Sequence, residues 1–250
     1  MRIIRVILLF SVLLTGAVAV VTRKHDEGPI KELQASLPVR LAAMNLKMDE
    51  PVFIRLFKEE SELELWMRGE AGWRLFRTYP ICRWSGSLGP KLRTGDKQAP
   101  EGFYRVGRAQ LLPNSRRYRA FNIGFPNEYD RALGRTGSHL MVHGGCSSEG
   151  CYAMSDVEVD DIYRLVEAAL DGGEEAVELE AFTFRMTDVN MARHQASPWV
   201  DFWREIKRGY DLFEATRQVP QAGVRDGHYI VFAAGERPSL QPAQLITAWR

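Results

Sequence analysis

The hydrophobic residues of the chain fall into short runs of aliphatic and aromatic side chains, separated by turns that carry charge or glycine. Runs of this length and composition are typical of β-strands. The first three runs follow one another closely, which predicts a β-meander. Residues 85–100 show no such pattern and are expected to form a long loop. The predicted strands are residues 52–57, 62–67, 73–78, 140–143, 176–187 and 229–232.

Three other segments show the helical repeat of apolar positions. An amphipathic stretch at residues 30–46 predicts an N-terminal helix that packs on the domain. The capping box at residues 155–158 and the apolar stripe after it predict a second helix, which ends at Leu170. A third helix, at residues 199–213, is expected to bury its aromatic face in the core, with a lid as the alternative. Together the elements predict an α+β fold that is mainly β.

Composition narrows the class of protein. The 250 residues carry a formal net charge of +1 and are 45% hydrophobic, which suits one sizeable domain and excludes the basic excess of a nucleic-acid-binding protein. Residues 1–22 begin with positive charge and continue almost entirely apolar, so they are expected to be an export signal or a short anchor in contact with the membrane. The expected parts are this leader, an N-terminal helical extension at 23–50, a central domain at 51–190, and a C-terminal helical extension and tail at 191–250.

The chemistry is expected at residues 139–154, where a histidine and a cysteine flank a glycine-rich turn. A strand that ends at His143 would fix the imidazole, and the glycines would let Cys151 return toward it. The imidazole would then take the thiol proton. We expect it to be the main cause of a depressed thiol pKa, because the next helix begins too far away for its dipole to have this effect. The N–H groups of Gly150, Cys151 and Tyr152 are expected to form an oxyanion hole.

The same segment allows two other interpretations. Imidazole and thiolate are common zinc donors, but on a strand His139 and His143 would lie about 13 Å apart, at about 3.3 Å per residue, too far for one ion. A buried histidine with inert core thiols is the second alternative. His139 is expected to be structural, and no metal or other cofactor is expected. The donors in the zinc interpretation would be His139, His143, Cys146 and Cys151.

Several motifs resemble the L,D-transpeptidase catalytic domain, also called the YkuD domain. His143-Gly-Gly and the run Ser-Glu-Gly-Cys-Tyr-Ala-Met at residues 148–154 are similar to its catalytic signature. The short spacing, with Glu149 before the glycine, resembles the YafK-like branch of the family. Further matching pieces are residues 89–91, 99–104 and 184–187.

The resemblance implies a β-sandwich or barrel with a helix after the catalytic cysteine. It implies that Cys151 is the nucleophile, that His143 is the base and that the carbonyl of Gly144 orients the imidazole. It also implies a periplasmic enzyme that acts on peptidoglycan stem peptides through a thioester, with water or an amine as acceptor. Because members of this branch release a peptidoglycan-linked lipoprotein, hydrolysis is expected to outweigh transpeptidation. The alternative is a non-catalytic module that binds the cell wall or is stabilised by zinc.

Three basic residues are candidates for binding a substrate carboxylate. Lys91 and Arg93 lie in the predicted loop at residues 85–100, where a solvated charge is the default expectation. Arg185 lies where the family keeps an arginine, and a surface ion pair is its equal alternative.

The three cysteines leave one unpaired in an oxidising compartment. If Cys151 is the nucleophile, Cys82 and Cys146 are free to form a disulfide, and the alternative is two buried thiols. The sequence does not show whether their Cα atoms approach within about 7 Å, which a disulfide requires.

Overall fold

The computed structural model describes residues 36–236 and 245–246. Its first sheet contains the meander predicted at residues 52–78, whose last strand extends to Pro80, and this confirms the first three strands. The strands of this sheet are β1 (Val52–Phe57), β2 (Glu62–Gly69), β3 (Gly72–Pro80), β4 (Gly102–Val106) and β9 (Val177–Phe182). They lie in the order β3-β2-β1-β9-β4, with β9 parallel to β1 and antiparallel to β4.

A second, four-stranded sheet carries the candidate site. It contains β5 (Leu111–Ser115), β6 (Tyr118–Asn122), β7 (Met141–His143) and β8 (Tyr152–Ala153), in that order. The chain between β7 and β8 holds the glycine-rich turn, and these two short strands pair in parallel. A separate hairpin near the C-terminus consists of β10 (Gln221–Arg225) and β11 (His228–Phe232), so the predicted strand at 229–232 is confirmed.

Five α-helices lie among the described residues: α1 (Leu37–Ala43), α2 (Glu128–Ala132), α3 (Asp156–Asp171), α4 (Asp188–Arg193) and α5 (Val200–Thr216). Helix α3 begins at the predicted capping box, in which the Ser155 side chain accepts from the Glu158 N–H. Helix α1 lies within the predicted helix at 30–46, of which residues 30–35 lie outside the described part of the chain, as does the leader at 1–22. None of the helices in the described ranges is long and apolar enough to span a membrane.

One hydrophobic core joins both sheets and α3. Ile54 and Leu65 enter it from the first sheet, Phe121 and Val142 from the second, and Ile162 from the helix. All five side chains are fully buried, and removal of such side chains from water is the main favourable contribution to folding. The predicted fold class, α+β and mainly β, is therefore confirmed.

The aromatic stripe of α5 forms a second core on the first sheet. Phe182 on β9 stacks on Phe57 and meets the Tyr210 ring edge-on. The expected burial of the stripe is confirmed for Phe202, Trp203, Ile206 and Tyr210 in this core. Phe213 is buried against Phe53 and Trp66 instead, and the stripe's first residue, Trp199, is only partly buried and precedes the helix.

The structure differs from the sequence prediction in the length of one strand and in several elements that were not predicted. The strand expected at residues 176–187 ends at Phe182, because β9 loses its partners where β1 and β4 end. The strands β4, β5, β6, β8 and β10 were not predicted, and neither were the short helices α2 and α4. Pro113 and Asn114 interrupt the hydrophobic pattern of β5, which lies at the edge of its sheet, where proline is tolerated.

Candidate active site

The pairing of β7 with β8 brings the predicted histidine and cysteine together. Val142 lies opposite Tyr152, and both side chains are fully buried in the core. Since side chains alternate along a strand, His143 belongs to the other face. Cys151 directly precedes Tyr152, so it is placed on the face of His143. The parallel register, in which His143 pairs with Ala153, therefore places Cys151 and His143 on the same face of the strand pair, two residues apart along the strands.

His143 is held in one tautomer by its neighbour. Its Nδ1 lies 2.6 Å from the carbonyl oxygen of Gly144. A carbonyl only accepts hydrogen bonds, so the neutral ring carries its proton on Nδ1 and leaves Nε2 free as a base. Burial lowers the pKa of His143 below its ordinary 6.5, the Gly144 carbonyl opposes this shift, and the charge of Arg117 adds to it. The imidazole is therefore neutral at pH 7.

Cys151 is a free, partly buried thiol. Its Sγ lies 3.6 Å from the main-chain carbonyl oxygen of His139. Burial raises the pKa of this thiol above its ordinary 9.0, although the Met141 N–H and the charges of Arg117 and Lys91 act in the opposite direction. The expectation that His143 depresses the pKa of the resting thiol is therefore wrong: the pair rests as a thiol and a neutral imidazole.

The turn at residues 144–150 needs its glycines because it folds against other main chain. A Cβ on Gly144 would lie 2.9 Å from the main-chain carbonyl oxygen of Arg117 and 2.5 Å from Asp156 Oδ1, which is too close for a side chain. Gly145 has a φ of +83°, a region that glycine enters without steric cost, and its N–H donates to Asp156 Oδ1 at 2.8 Å. The first residue of α3 thus anchors the turn directly after His143.

The N–H groups expected to form the oxyanion hole lie at the end of this turn. The Gly150 N–H donates to Ser148 Oγ at 3.2 Å, and that hydroxyl donates to the carbonyl oxygen of Cys151 at 2.7 Å. Tyr152 pairs with Val142 in the strand ladder. The oxyanion role of Gly150, Cys151 and Tyr152 stays a prediction.

Cys82 and Cys146 form a disulfide, with their Cα atoms 5.2 Å apart. This decides the open alternative in favour of the bridge and leaves Cys151 as the free thiol. Cys146 is thereby removed from the four candidate zinc donors. No three histidine, cysteine or acidic side chains within residues 36–236 and 245–246 are grouped so that they could hold a metal ion.

Comparisons with known proteins show the family of the chain. The L,D-transpeptidase catalytic domain, YkuD, matches residues 58–177. The protein named "Putative L,D-transpeptidase YafK" from Escherichia coli K12 is 46% identical over 215 residues, which cover 86% of this chain and 87% of that protein. The chain belongs to the L,D-transpeptidase (YkuD) family.

Solved structures give weaker similarities. The helical cell shape determining protein Pgp2 from Campylobacter jejuni aligns with a TM-score of 0.43 and 19% identity, over 73% of this chain and 66% of that chain. L,D-transpeptidase 1 from Mycobacterium tuberculosis aligns with a TM-score of 0.29 and 15% identity, over 53% of this chain and 62% of that chain.

In this family member, the segment between β3 and β4, here called the wall segment, lies beside the glycine-rich turn at residues 144–150. It has no helix or strand, as predicted for residues 85–100. Ser85 Oγ lies 3.1 Å from Ser148 Oγ in the turn, and the Tyr152 hydroxyl donates to the Pro100 carbonyl oxygen at 2.6 Å. The candidate site therefore lies between the glycine-rich turn and the wall segment.

The two basic candidates in the wall segment differ in environment. Lys91 is buried rather than solvated: its ammonium pairs with Asp96 and donates to the Arg93 carbonyl oxygen at 3.1 Å. The default expectation of a solvated loop charge is thus wrong for Lys91. Arg93 is exposed, and its main-chain N–H donates to Asp96. Their role in binding substrate stays a prediction.

Arg185 already has two carboxylate partners. Its guanidinium donates to Glu64 at 2.6 Å and to Glu62 at 2.5 Å, and it lies over the Phe57 ring. The pKa of Arg185 is raised: burial acts to lower it, but the hydrogen bonds to both glutamates outweigh that effect. These contacts are those of the ion-pair alternative, and its binding of a substrate carboxylate stays a prediction.

The sequence prediction missed a buried ion pair beneath the wall segment. Lys58 Nζ lies 2.9 Å from Glu101 Oε1, and both side chains are fully buried. Glu101 also accepts from the Gly89 N–H at 2.8 Å and from Trp203 Nε1 at 2.9 Å. No local pattern reveals such a pair, because its members come from separate parts of the chain.

Proposed function

We propose that this chain is an exported, periplasmic cysteine acyl-transfer enzyme that acts on peptidoglycan stem peptides. The observation that carries the proposal is the placement of Cys151 and His143 on one face of the β7–β8 pair, with His143 Nδ1 bound to the Gly144 carbonyl. Membership of the L,D-transpeptidase family supports the reaction class. The apolar leader at residues 1–22 supports export.

The proposed reaction begins with a neutral pair. As substrate binds, His143 Nε2 takes the proton of Cys151, and the thiolate attacks the carbonyl carbon of a stem-peptide amide. The imidazolium keeps its Nδ1–H bond to Gly144 and passes the Nε2 proton to the departing amine. The C–N bond breaks, and a thioester to Cys151 remains. Water or a second amine then attacks the thioester and restores the thiol.

We further propose that hydrolysis outweighs transpeptidation and that the amine released belongs to a peptidoglycan-linked lipoprotein or a cross-link. Because the turn at residues 144–150 is short, we expect it to leave the thioester accessible to water. Because water is present at about 55 M, an amine competes only where the site orients it with a high effective molarity.

Incubation of the purified protein with defined muropeptides, followed by mass analysis, tests the proposal. We expect a covalent acyl adduct on Cys151 and free-acid products, and neither product with Cys151→Ala. New cross-links or exchanged D-amino acids with little free acid would contradict the hydrolytic branch. Binding to peptidoglycan without any adduct would contradict the enzyme and favour the non-catalytic module.

A further inference from the structure

Arg117 lies beside the glycine-rich turn, where β5 connects to β6. The pairing of Ala120 with His143 brings the β5–β6 hairpin against β7, and the Gly144 N–H donates to the Arg119 carbonyl oxygen at 3.3 Å. Arg117 extends from the hairpin over the turn. Its guanidinium donates to Ser147 Oγ, and its Cδ lies 3.6 Å from the position of a Cβ on Gly145.

The charge of Arg117 is not neutralised by a neighbour. In the part of the chain that the structure describes, no carboxylate lies at ion-pair distance from it, and its hydrogen-bond partner is a neutral hydroxyl. Two other cations nearby are paired: Arg119 lies 3.2 Å from Asp160, and Lys91 is paired with Asp96. An exposed guanidinium fork is thus available at the site.

The charge of Arg117 reaches both reacting groups. Burial is the main influence on each, but Arg117 lowers the pKa of the His143 imidazole and the pKa of the Cys151 thiol. Two acidic groups lie close to the turn. Asp156, the first residue of α3, accepts the Gly145 N–H, and Glu149 pairs with Lys97 at 3.1 Å. An anion that approaches the thiol from the hairpin side therefore meets the charge of Arg117, which has no ion-pair partner among the described residues.

We propose that Arg117 binds a carboxylate of the acyl donor that lies next to the scissile amide. A guanidinium binds a carboxylate through two parallel hydrogen bonds, which fixes orientation as well as position. Arg117 would thereby select donors with a free carboxylate over donors in which this group is a carboxamide. The identity of the donor in this inference rests on the proposed function. The binding of an anion by Arg117, here called the anion site, does not depend on it.

The anion site can be tested without any peptidoglycan substrate. Iodoacetate and iodoacetamide both alkylate the Cys151 thiolate with loss of iodide, and only the first carries a carboxylate. Since Cys82 and Cys146 are bridged, Cys151 alone reacts. The ratio of the two rates cancels any change in the pKa of the thiol. We expect Arg117→Ala to lower this ratio by about threefold or more, as for the loss of a unit charge about 6 Å away in water.

Arg116→Ala is the matched control, because Arg116 is an exposed arginine in the same hairpin. We expect it to leave the ratio unchanged, and we expect Arg117→Lys, which keeps the charge, to retain most of it. An unchanged ratio in Arg117→Ala, or an equal fall in Arg116→Ala, would overturn the anion site.

The donor role is tested with a stem tetrapeptide and with its analogue in which the carboxylate next to the scissile bond is a carboxamide. We expect Arg117→Ala to lower kcat/KM for the carboxylate donor about tenfold, the usual effect of losing a charged hydrogen bond, and to change the carboxamide donor little. Equal losses for both donors would show that Arg117 only holds the turn through Ser147, which would contradict the proposal.

The two experiments separate the possible failures. A fall in the alkylation ratio, with no turnover of any stem peptide by the wild-type protein, would contradict the proposed function and retain the anion site at Arg117. Turnover of stem peptides with an unchanged alkylation ratio and unchanged donor preference in Arg117→Ala would retain the function and overturn Arg117 as a selective residue.

Discussion

Burial shifts the pKa values of His143 and Cys151, the proposed catalytic pair, in opposite directions. It lowers the pKa of the His143 imidazole and raises the pKa of the Cys151 thiol, since in each case the charged form loses hydration. A stable thiolate–imidazolium pair is therefore disfavoured in the free protein. In the proposed reaction the proton transfer takes place with substrate bound, and the Gly144 carbonyl holds the imidazole with Nε2 free.

The pH dependence of alkylation tests this resting state. Only the thiolate reacts, so the rate of alkylation of Cys151 by iodoacetamide should rise about tenfold per pH unit below the pKa of the thiol. Because that pKa lies above 9.0, we expect a continuous rise from pH 6 to pH 9, measured by mass spectrometry. A plateau between pH 5 and pH 8 would instead indicate a resting ion pair.

The two histidines of the segment should differ in effect. We expect His143→Ala to lower the rate of acylation about a hundredfold or more, because general-base assistance is lost. His139→Asn is the control: His139 has a φ of +60°, which asparagine tolerates, and it contacts Cys151 only through its main-chain carbonyl. We expect nearly full activity from this variant. Equal loss in both, with loss of bound zinc, would favour the metal site.

At the scale of elements, the wall segment between β3 and β4 has no regular structure, yet buried polar groups hold it. Gln98 binds the Ser87 N–H at 2.9 Å and the Gly89 carbonyl oxygen at 2.7 Å. The same carbonyl oxygen accepts from Lys58 Nζ at 2.8 Å. Burial lowers the pKa of Lys58, and Glu101 opposes this shift. The buried Lys58–Glu101 pair therefore stabilises the wall segment through its hydrogen bonds to the main chain of Gly89.

Glu101→Gln should show this support. It removes the counter-charge of a fully buried ammonium, so we expect a loss of about 3 kcal/mol in the free energy of unfolding, measured in urea. Glu149→Gln removes the partner of Lys97 in an exposed pair, with side chains 67% and 78% accessible, and should cost less than about 1 kcal/mol. Similar losses in the two variants would contradict a structural role for the buried pair.

At the scale of the whole molecule, the disulfide connects the two sheets. Cys82 follows β3 of the first sheet, and Cys146 lies in the turn after β7 of the second, with a sequence separation of 64 residues. The bridge restricts the unfolded chain, and it also ties the glycine-rich turn to the wall segment. The shared core around α3 provides the second connection between the sheets.

Removal of the bridge should destabilise the protein without removing the nucleophile. For a closed loop of this length, we expect Cys82→Ser with Cys146→Ser to lose about 4 kcal/mol in the free energy of unfolding. Reductant should lower the stability of the wild-type protein by a similar amount and leave the double variant unchanged. Cys151→Ser keeps the bridge and should keep full stability. A reductant effect on the double variant would show that the bridge is not its cause.

Local patterns in the sequence determined several features by themselves. The meander at residues 52–78, the capping box before α3 and the aromatic stripe of α5 were all predicted, because strand alternation, helix capping and amphipathic repeats depend on neighbouring residues. The proposal that His143 and Cys151 form the site rests on the same kind of local pattern and stays a prediction. The family followed from these motifs.

Other features were decided only by contacts between distant segments. The parallel pairing of β9 with β1, and of β7 with β8, depends on the assembled sheets. Lys91 looked solvated, but the fold buries it beside Asp96. The direction of the Cys151 pKa shift and the position of Arg117 over the turn also required the tertiary structure. Desolvation and charge proximity arise when segments far apart in sequence pack together, and no local pattern encodes them.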